Sequence, residues 1–351
     1  MSWTEECEAT LTVLPGRLLI SRLHEETLHQ TAAPLLRLLL VPGSHRLLSL
    51  TRTRDDLYKS PLPHIMLAVV VVVMTMMVNM TLIADEEAFD VLPPGVVEVV
   101  VNGPSSTGTA DASADRSQWQ RWRAMQVASG GSGQPWTGAG GLSGPLAAAG
   151  ITIFYLGTAE EDILLVPEDK LPAALAALRG KFEIVTEGIS ASTRRDAAAA
   201  AADVPTSLSP PALSRKKKLA FPRLELSLCG VPEEDVAAAT YLPWDRREDC
   251  FVSYTELEGE VSLIGDSASL RQYSFPVEGS REPWAIIKVD EGPLGFEEAG
   301  IVASLAVPLG QAGLPLFYLS TFLTDYAFVH KASLPRARQA LKDSPSFLLP
   351  L

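Results

Sequence analysis

Hydrophobic residues in this chain fall into short runs of two kinds. RLELSLCG at 223–230 alternates apolar and polar residues, as a half-buried strand does. Leu171, Leu175, Leu178 and Phe182 instead recur at helical spacing along one face of Leu171–Phe182. Read this way, the middle of the chain predicts strands at Ala124–Ala128, Ile151–Leu156, Asp162–Val166 and Glu183–Val185, with helices at about 138–149 and 171–182. The same order recurs later: a strand at Trp284–Val289, a helix at Ile301–Ala312, strands at Leu316–Leu319 and Tyr326–Val329, and a helix opening at Leu334–Leu341. Strand, helix, strand, strand, helix, strand is the ferredoxin-like βαββαβ unit.

The two copies are related in sequence as well as in order. Pro145–Leu178 aligns without a gap to Pro308–Leu341, and 15 of the 34 positions are identical. Shared residues include an Ala-Gly turn, a Phe-Tyr-Leu strand, Thr158/Thr321, Asp162/Asp325 and a Leu-Pro helix start. Such a repeat means two copies of one module. A pseudo-symmetric pair of modules is a natural place for a ligand.

The predicted class is α+β, with four tandem ferredoxin-like modules in two pseudo-repeated halves. The first module spans about 9–101, the second 121–186, the third 221–275 and the fourth 283–345. The first contains an apolar run, Ile65–Ile83, long enough to span a bilayer. Its five consecutive valines favour strand, and few basic or aromatic residues flank it. Excising Lys59–Met80 joins TRTRDDLY to TLIADEEAF as strand, turn and strand, so 59–80 reads as an insertion into a hairpin. SLIGD at Ser262–Asp266 parallels TLIAD at Thr81–Asp85. Pro104–Ser117 is small and polar, a predicted loop. Residues 187–220, with their alanine run, Ser/Pro repeats and Arg215–Lys218 basic tetrad, are predicted to be a linker that buries no face.

Composition narrows the function. The chain has 351 residues, 47% of them hydrophobic, enough for more than one real core. A net charge of −13 weighs against nucleic acid and anionic membrane surfaces as partners. Cys7, Cys229 and Cys250 lack CxxC spacing, which fits a reducing compartment and gives no zinc or disulfide framework. MSWTEECEA has no basic region ahead of an apolar core, so a cytoplasmic location is expected. No dinucleotide, phosphate-loop, zinc-protease or serine-hydrolase motif is present, and the five histidines are scattered. No catalytic residue, metal or cofactor is therefore expected.

Candidate chemistry sits in the loop Gly292–Gly300. Glycines there let backbone approach a ligand. Free amides at the following helix start, near Gly300-Ile301, can hold a carboxylate. Glu298 beside them would suit an α-amino group, so the loop matches the two ends of an amino acid; a tight turn with Glu298 as a helix N-terminal charge is the alternative. Asp325, in the otherwise uncharged TFLTDYAF, could hold a guanidinium or ammonium.

LGFEEAGIVASLAVPL (294–309) and YLSTFLTDYAFV (318–329) resemble the fourth ACT module of the CASTOR-type cytosolic arginine sensors. IADEEAFDVLPP (83–94) and PLAAAGITIFYLGTAEEDILLVPEDKL (145–171) extend the likeness over most of the chain. The resemblance implies four ACT modules with an amino acid between the second and fourth. It places Gly295, Glu298, Gly300, Ile301, Thr321, Phe322 and Asp325 on ligand positions, with Asp325 at the guanidinium and Glu298 at the amino end. The family's Ser-Val pair falls on Gly141 and Leu142 here, so the serine hydroxyl is missing unless Ser143 replaces it. The implied protein partner regulates TOR growth signalling.

Three functions compete on the sequence. One is a non-enzymatic sensor of arginine or another cationic amino acid, alone or as a homodimer. A second is a regulatory ACT protein acting on an amino-acid biosynthetic enzyme. The third is a membrane-anchored protein using 65–83.

Overall fold

The computed structural model describes residues 9–24, 27, 30–31, 34–35, 47–54, 78–102, 107–109, 116–128, 141–158, 161–185, 189–201, 213–231, 251–257, 260–267, 270, 282–290, 294, 296 and 298–350. The first set of strands is β1 (Thr10–Val13), β2 (Leu18–His24), β3 (Leu47–Arg54), β4 (Val78–Asp85), β5 (Val97–Val100) and β6 (Thr107–Thr109). The second set is β7 (Trp122–Ala128), α1 (Ser143–Ala148), β8 (Phe154–Gly157), β9 (Glu161–Pro167), α2 (Leu171–Leu178) and β10 (Glu183–Val185). Helix α3 (Ala191–Ala200) follows, then β11 (Lys217–Ala220), β12 (Glu225–Val231), β13 (Val252–Leu257) and β14 (Glu260–Asp266). The last set is β15 (Trp284–Val289), α4 (Ile301–Gln311), β16 (Phe317–Ser320), β17 (Asp325–His330), α5 (Leu334–Lys342) and β18 (Phe347–Leu348).

The second and last sets keep the βαββαβ order, but they are not self-contained. β1 inserts between β10 and β7, parallel to the first and antiparallel to the second. β11 inserts in the same way between β18 and β15. The edge strands β3 and β13 pair antiparallel, and β8 meets β16 at Leu156 and Leu319. Short pairings, Leu18 with Trp122 and Leu226 with Trp284, join the remaining gaps. Hydrogen bonding then runs β3, β4, β2, β7, β9, β8, β16, β17, β15, β12, β14, β13 and back to β3. The expected tandem βαββαβ units are thus present in part, as element order in the second and last sets, and are joined into one large, mostly antiparallel sheet closed into a barrel. Pairing edge to edge satisfies backbone groups that isolated units would leave open.

Closure explains why the middles of several strands are apolar on both faces. In β9, Ile163 and Leu165 join one core while Leu164 and Val166 join another. In β17, Tyr326 and Phe328 point one way and Ala327 and Val329 the other. Successive side chains of a strand face opposite sides. The core holding Ile163 and Phe328 also contains Ile20, Ile83, Leu226 and Ile264, so every strand set contributes to it. The core holding Leu164 and Val329 packs under α1, α2, α4 and α5, with Leu146, Leu175, Leu305 and Leu341 buried in it.

The repeated residues have structural causes. The shared glycines Gly150 and Gly313 have φ of 67° and 64° after α1 and α4. Their amides bond to Ala147 and Gly310, and the next amides bond to Leu146 and Leu309, which ends both helices in a left-handed turn. The shared threonines close the β8–β9 and β16–β17 hairpins. Thr158 Oγ1 donates to the Glu161 carbonyl at 2.8 Å, and Thr321 Oγ1 to the Thr324 carbonyl at 2.7 Å.

Three segments differ from expectation. β3 and β4 are neighbours with Arg54 opposite Val78, so 55–77 connects two paired strands. Val78–Met80, placed in the insertion by sequence, belongs to β4, and so does the end of the apolar run through Ile83. The rest of that run lies outside the described residues, as do most of Leu28–Leu40, where apolar residues at helical spacing predict a helix, and Gly130–Pro135, whose glycines predict a flexible loop. Among the described residues no helix is long and apolar enough to cross a membrane. The supposed linker contains α3, whose cap Ser190 accepts from the Thr193 amide at 3.1 Å and whose Ala197 is buried. Alanine is the best helix former, so the run orders once one face has a partner. The same stretch supplies β11. Thr107–Thr109, read as loop, pairs with β5 as β6.

Candidate functional site

The N-terminus of α4 and the tips of β16 and β17 face α1 and the approach to β8 across a cleft. It is narrow, with a cavity volume of about 30 Å³. Ser143, Ile151 and Phe154 form one wall; Glu298, Gly300, Ile301, Thr321 and Asp325 form the other.

Asp325 opens β17, opposite Ser320 of β16, and is 8% exposed. Burial raises its carboxyl to about 6, against the Ser320 and Tyr318 hydroxyls, which favour the charged form. The Tyr318 hydroxyl lies beside it without completing a hydrogen bond. No cation of the described residues forms an ion pair with Asp325. A buried carboxylate set this way can bind a cationic group strongly. Asp162 is its counterpart at a half-buried position by Tyr155, and burial raises it to about 6 as well.

Gly300 caps α4 with φ of 95°, a left-handed conformation natural to glycine. The residues of the first helical turn, Ile301, Val302 and Ala303, line the cleft. A helix start leaves amides unbonded within the helix, and its dipole favours negative charge. Leu294 N donates to the Leu323 carbonyl at 3.0 Å and pins the loop to the β16–β17 turn. Trp122 also lines the cleft; its buried indole N–H has no acceptor among the described residues.

Glu298 is less free than the sequence suggests. Its Oε1 accepts from the Ser214 amide at 2.8 Å and the Ser214 hydroxyl at 2.7 Å. Lys217 Nζ lies 2.6 Å from Oε2. Burial works to raise the Glu298 carboxyl, but Lys217 and Ser214 outweigh it and hold the group below its usual range. The basic tetrad is thus not simply a solvated linker end: Lys217 is 4% exposed and bonded into the site.

Of the residues singled out by sequence, Ser143, Glu298, Gly300, Ile301, Thr321 and Asp325 meet around the cleft. Thr321 brings a hydroxyl already committed to its hairpin. Phe322 lies behind the wall, stacked edge-on against Phe296 at 5.2 Å, with its amide bonded to Thr81 Oγ1 at 2.9 Å. Gly141 and Leu142 are buried but do not line the cleft, and Leu142 is a core residue. Gly295 lies outside the described residues. Sequence reading missed Trp122, Ser214 and Lys217. The alternation of Lys217 with Leu219 in one strand was the available signal for Lys217: it puts a charge on the inward face.

A family model described as ACT domain matches residues 119–180 and 279–343. The protein named cytosolic arginine sensor for mTORC1 subunit 1 from Bos taurus is 27% identical over 356 residues, covering 91% of this chain and 93% of the relative. Its Homo sapiens namesake is 27% identical, with 84% and 86% covered. The chain therefore carries two segments that match the ACT domain, and it is similar to those sensors over most of its length. A solved protein from Agobacterium tumefaciens is 27% identical over 39% of this chain and 96% of its own, but its TM-score of 0.32 carries no argument. The cleft lies between the two segments that match the ACT domain. The first supplies Trp122 and Ser143, the second Glu298 through Asp325. Ser214 and Lys217 come from outside both.

Proposed function

We propose that this tandem ACT protein is a non-enzymatic amino-acid sensor, that arginine or another cationic amino acid binds in the cleft, and that a protein partner reads the bound state. The single observation that carries the proposal is Asp325, a buried carboxylate with no ion-pair partner among the described residues, lining the same cleft as a helix N-terminus. A guanidinium would meet Asp325, and a carboxylate the α4 amides and the orphan Trp122 N–H. An unsatisfied buried donor costs roughly 1–3 kcal/mol, so an acceptor brought by the ligand would be favoured there.

The wider reading takes its support from the relatives. Their name makes them cytosolic arginine sensors for mTORC1, and on that basis we place this chain in the cytoplasm and in TOR-pathway nutrient signalling. We also propose four ACT modules at about 9–101, 121–186, 221–275 and 283–345, with β1 of the first inserted into the sheet of the second and β11, just ahead of the third, into that of the fourth. Binding shifts a partner surface only through different affinities for two conformations. A thermal-shift screen against the twenty amino acids tests the reading: arginine is expected to raise the midpoint most. No shift with any amino acid, on well-folded protein, contradicts it.

A further inference from the structure

We infer that Lys217 is a specificity determinant of the cleft, supplying from within the chain the positive charge that a ligand's α-ammonium would otherwise bring to Glu298. The inference rests on the amino-acid-binding reading above. Lys217 Nζ lies 2.6 Å from Glu298 Oε2, while Ser214 occupies Oε1 with two hydrogen bonds. An ammonium arriving from the cleft meets a carboxylate whose charge is already balanced. Its attraction to Glu298 is offset by repulsion from Lys217 at similar range.

Lys217 is also poorly placed to step aside. Its amide donates to the Ser346 carbonyl at 2.9 Å, and its neighbour's carbonyl accepts from the Asp290 amide at 2.7 Å. β11 is held between β15 and β18. The Lys217 side chain is 5% exposed, so separating it from Glu298 would leave a buried charge unpaired. With Asp325 ionised, the three groups sum to −1 (two carboxylates, one ammonium), which complements the +1 of arginine. Recognition then depends on the guanidinium and carboxylate ends of the ligand, and little on its α-amino group.

The test is a thermodynamic cycle between Lys217 and the ligand's amino group. Calorimetry compares L-arginine with 5-guanidinopentanoate, which is arginine without the α-amino group, on the full chain and on Lys217→Met. The wild type is expected to bind the two within about fivefold. Lys217→Met should tighten L-arginine and widen the ratio by about tenfold, because the ligand then becomes the counter-ion of Glu298. Lys217→Arg, which keeps the charge, should keep the wild-type ratio. A wild-type preference for L-arginine on the order of a hundredfold, or an unchanged ratio in Lys217→Met, overturns the inference. Should Lys217→Met fail to fold, the wild-type ratio decides alone. Binding of neither ligand to either protein removes the sensor reading together with the inference, whereas binding of both with an unchanged ratio removes the inference only.

Discussion

Asp325 links the sequence to the chemistry most directly. Its carboxyl is raised to about 6 chiefly by burial, and that gives its pH behaviour two opposite signs. In the free protein the raised value means that stability from this group is full below the unfolded value near 4 and is lost as pH rises through about 6. Ligand binding runs the other way, because a guanidinium needs the ionised form. Arginine affinity is therefore expected to fall about tenfold between pH 7.5 and 5, measured by calorimetry in matched ionic strength. A flat profile over that range would mean that the ligand does not touch Asp325. Asp325 was legible in the sequence because it is the one charge in an apolar strand. Glu298 was legible as a carboxylate beside a helix start, but its partners were not. Ser214 and Lys217 lie 84 and 81 positions away, and only folding brings them to it.

At the scale of elements, the repeat reads as a set of turns and caps. Most strand and helix positions were visible from period alone, since β7–β10 and β15–β18 keep the expected order. The hidden elements were β1 and β11 as inserted strands, because pairing between distant segments leaves no local pattern. The two kinds of glycine can be told apart by substitution. Gly313 has φ of 64° with nothing within 4 Å of an added Cβ, so Gly313→Ala should cost about 1–2 kcal/mol from backbone strain alone. Gly157 has no such backbone constraint, but its Cβ would fall 2.7 Å from the Phe317 ring across the β8–β16 seam. Gly157→Ala should therefore disturb that seam as well as lower stability, most visibly as altered near-ultraviolet dichroism from Trp284, which packs on Phe317 at 5.9 Å. Urea unfolding and the dichroism spectrum together separate the two effects.

Over the whole molecule the two halves meet at two seams, β8–β16 beside the cleft and β3–β13 far along the sheet. The second is laced by buried hydroxyl pairs, Ser49 with Thr255 at 3.0 Å and Thr51 with Ser253 at 2.8 Å. Removing one hydroxyl strands the other, so Thr51→Val alone should cost about 1–3 kcal/mol in urea unfolding. Adding Ser253→Ala should recover much of that loss, and failure to recover it would mean that the pair does not couple the halves. This closure was not legible in the sequence, whose repeated element order says nothing of which edge strands seek one another. Closure matters for function because the cleft is made by residues from both halves of a single sheet, so filling it bears on the whole barrel. The most direct test of that account is a calorimetric titration of L-arginine into the full chain and into Asp325→Ala. Saturable binding to the wild type, lost by at least about a hundredfold in a folded Asp325→Ala, is the predicted result. Equal binding to both proteins, or none to the wild type, would contradict it.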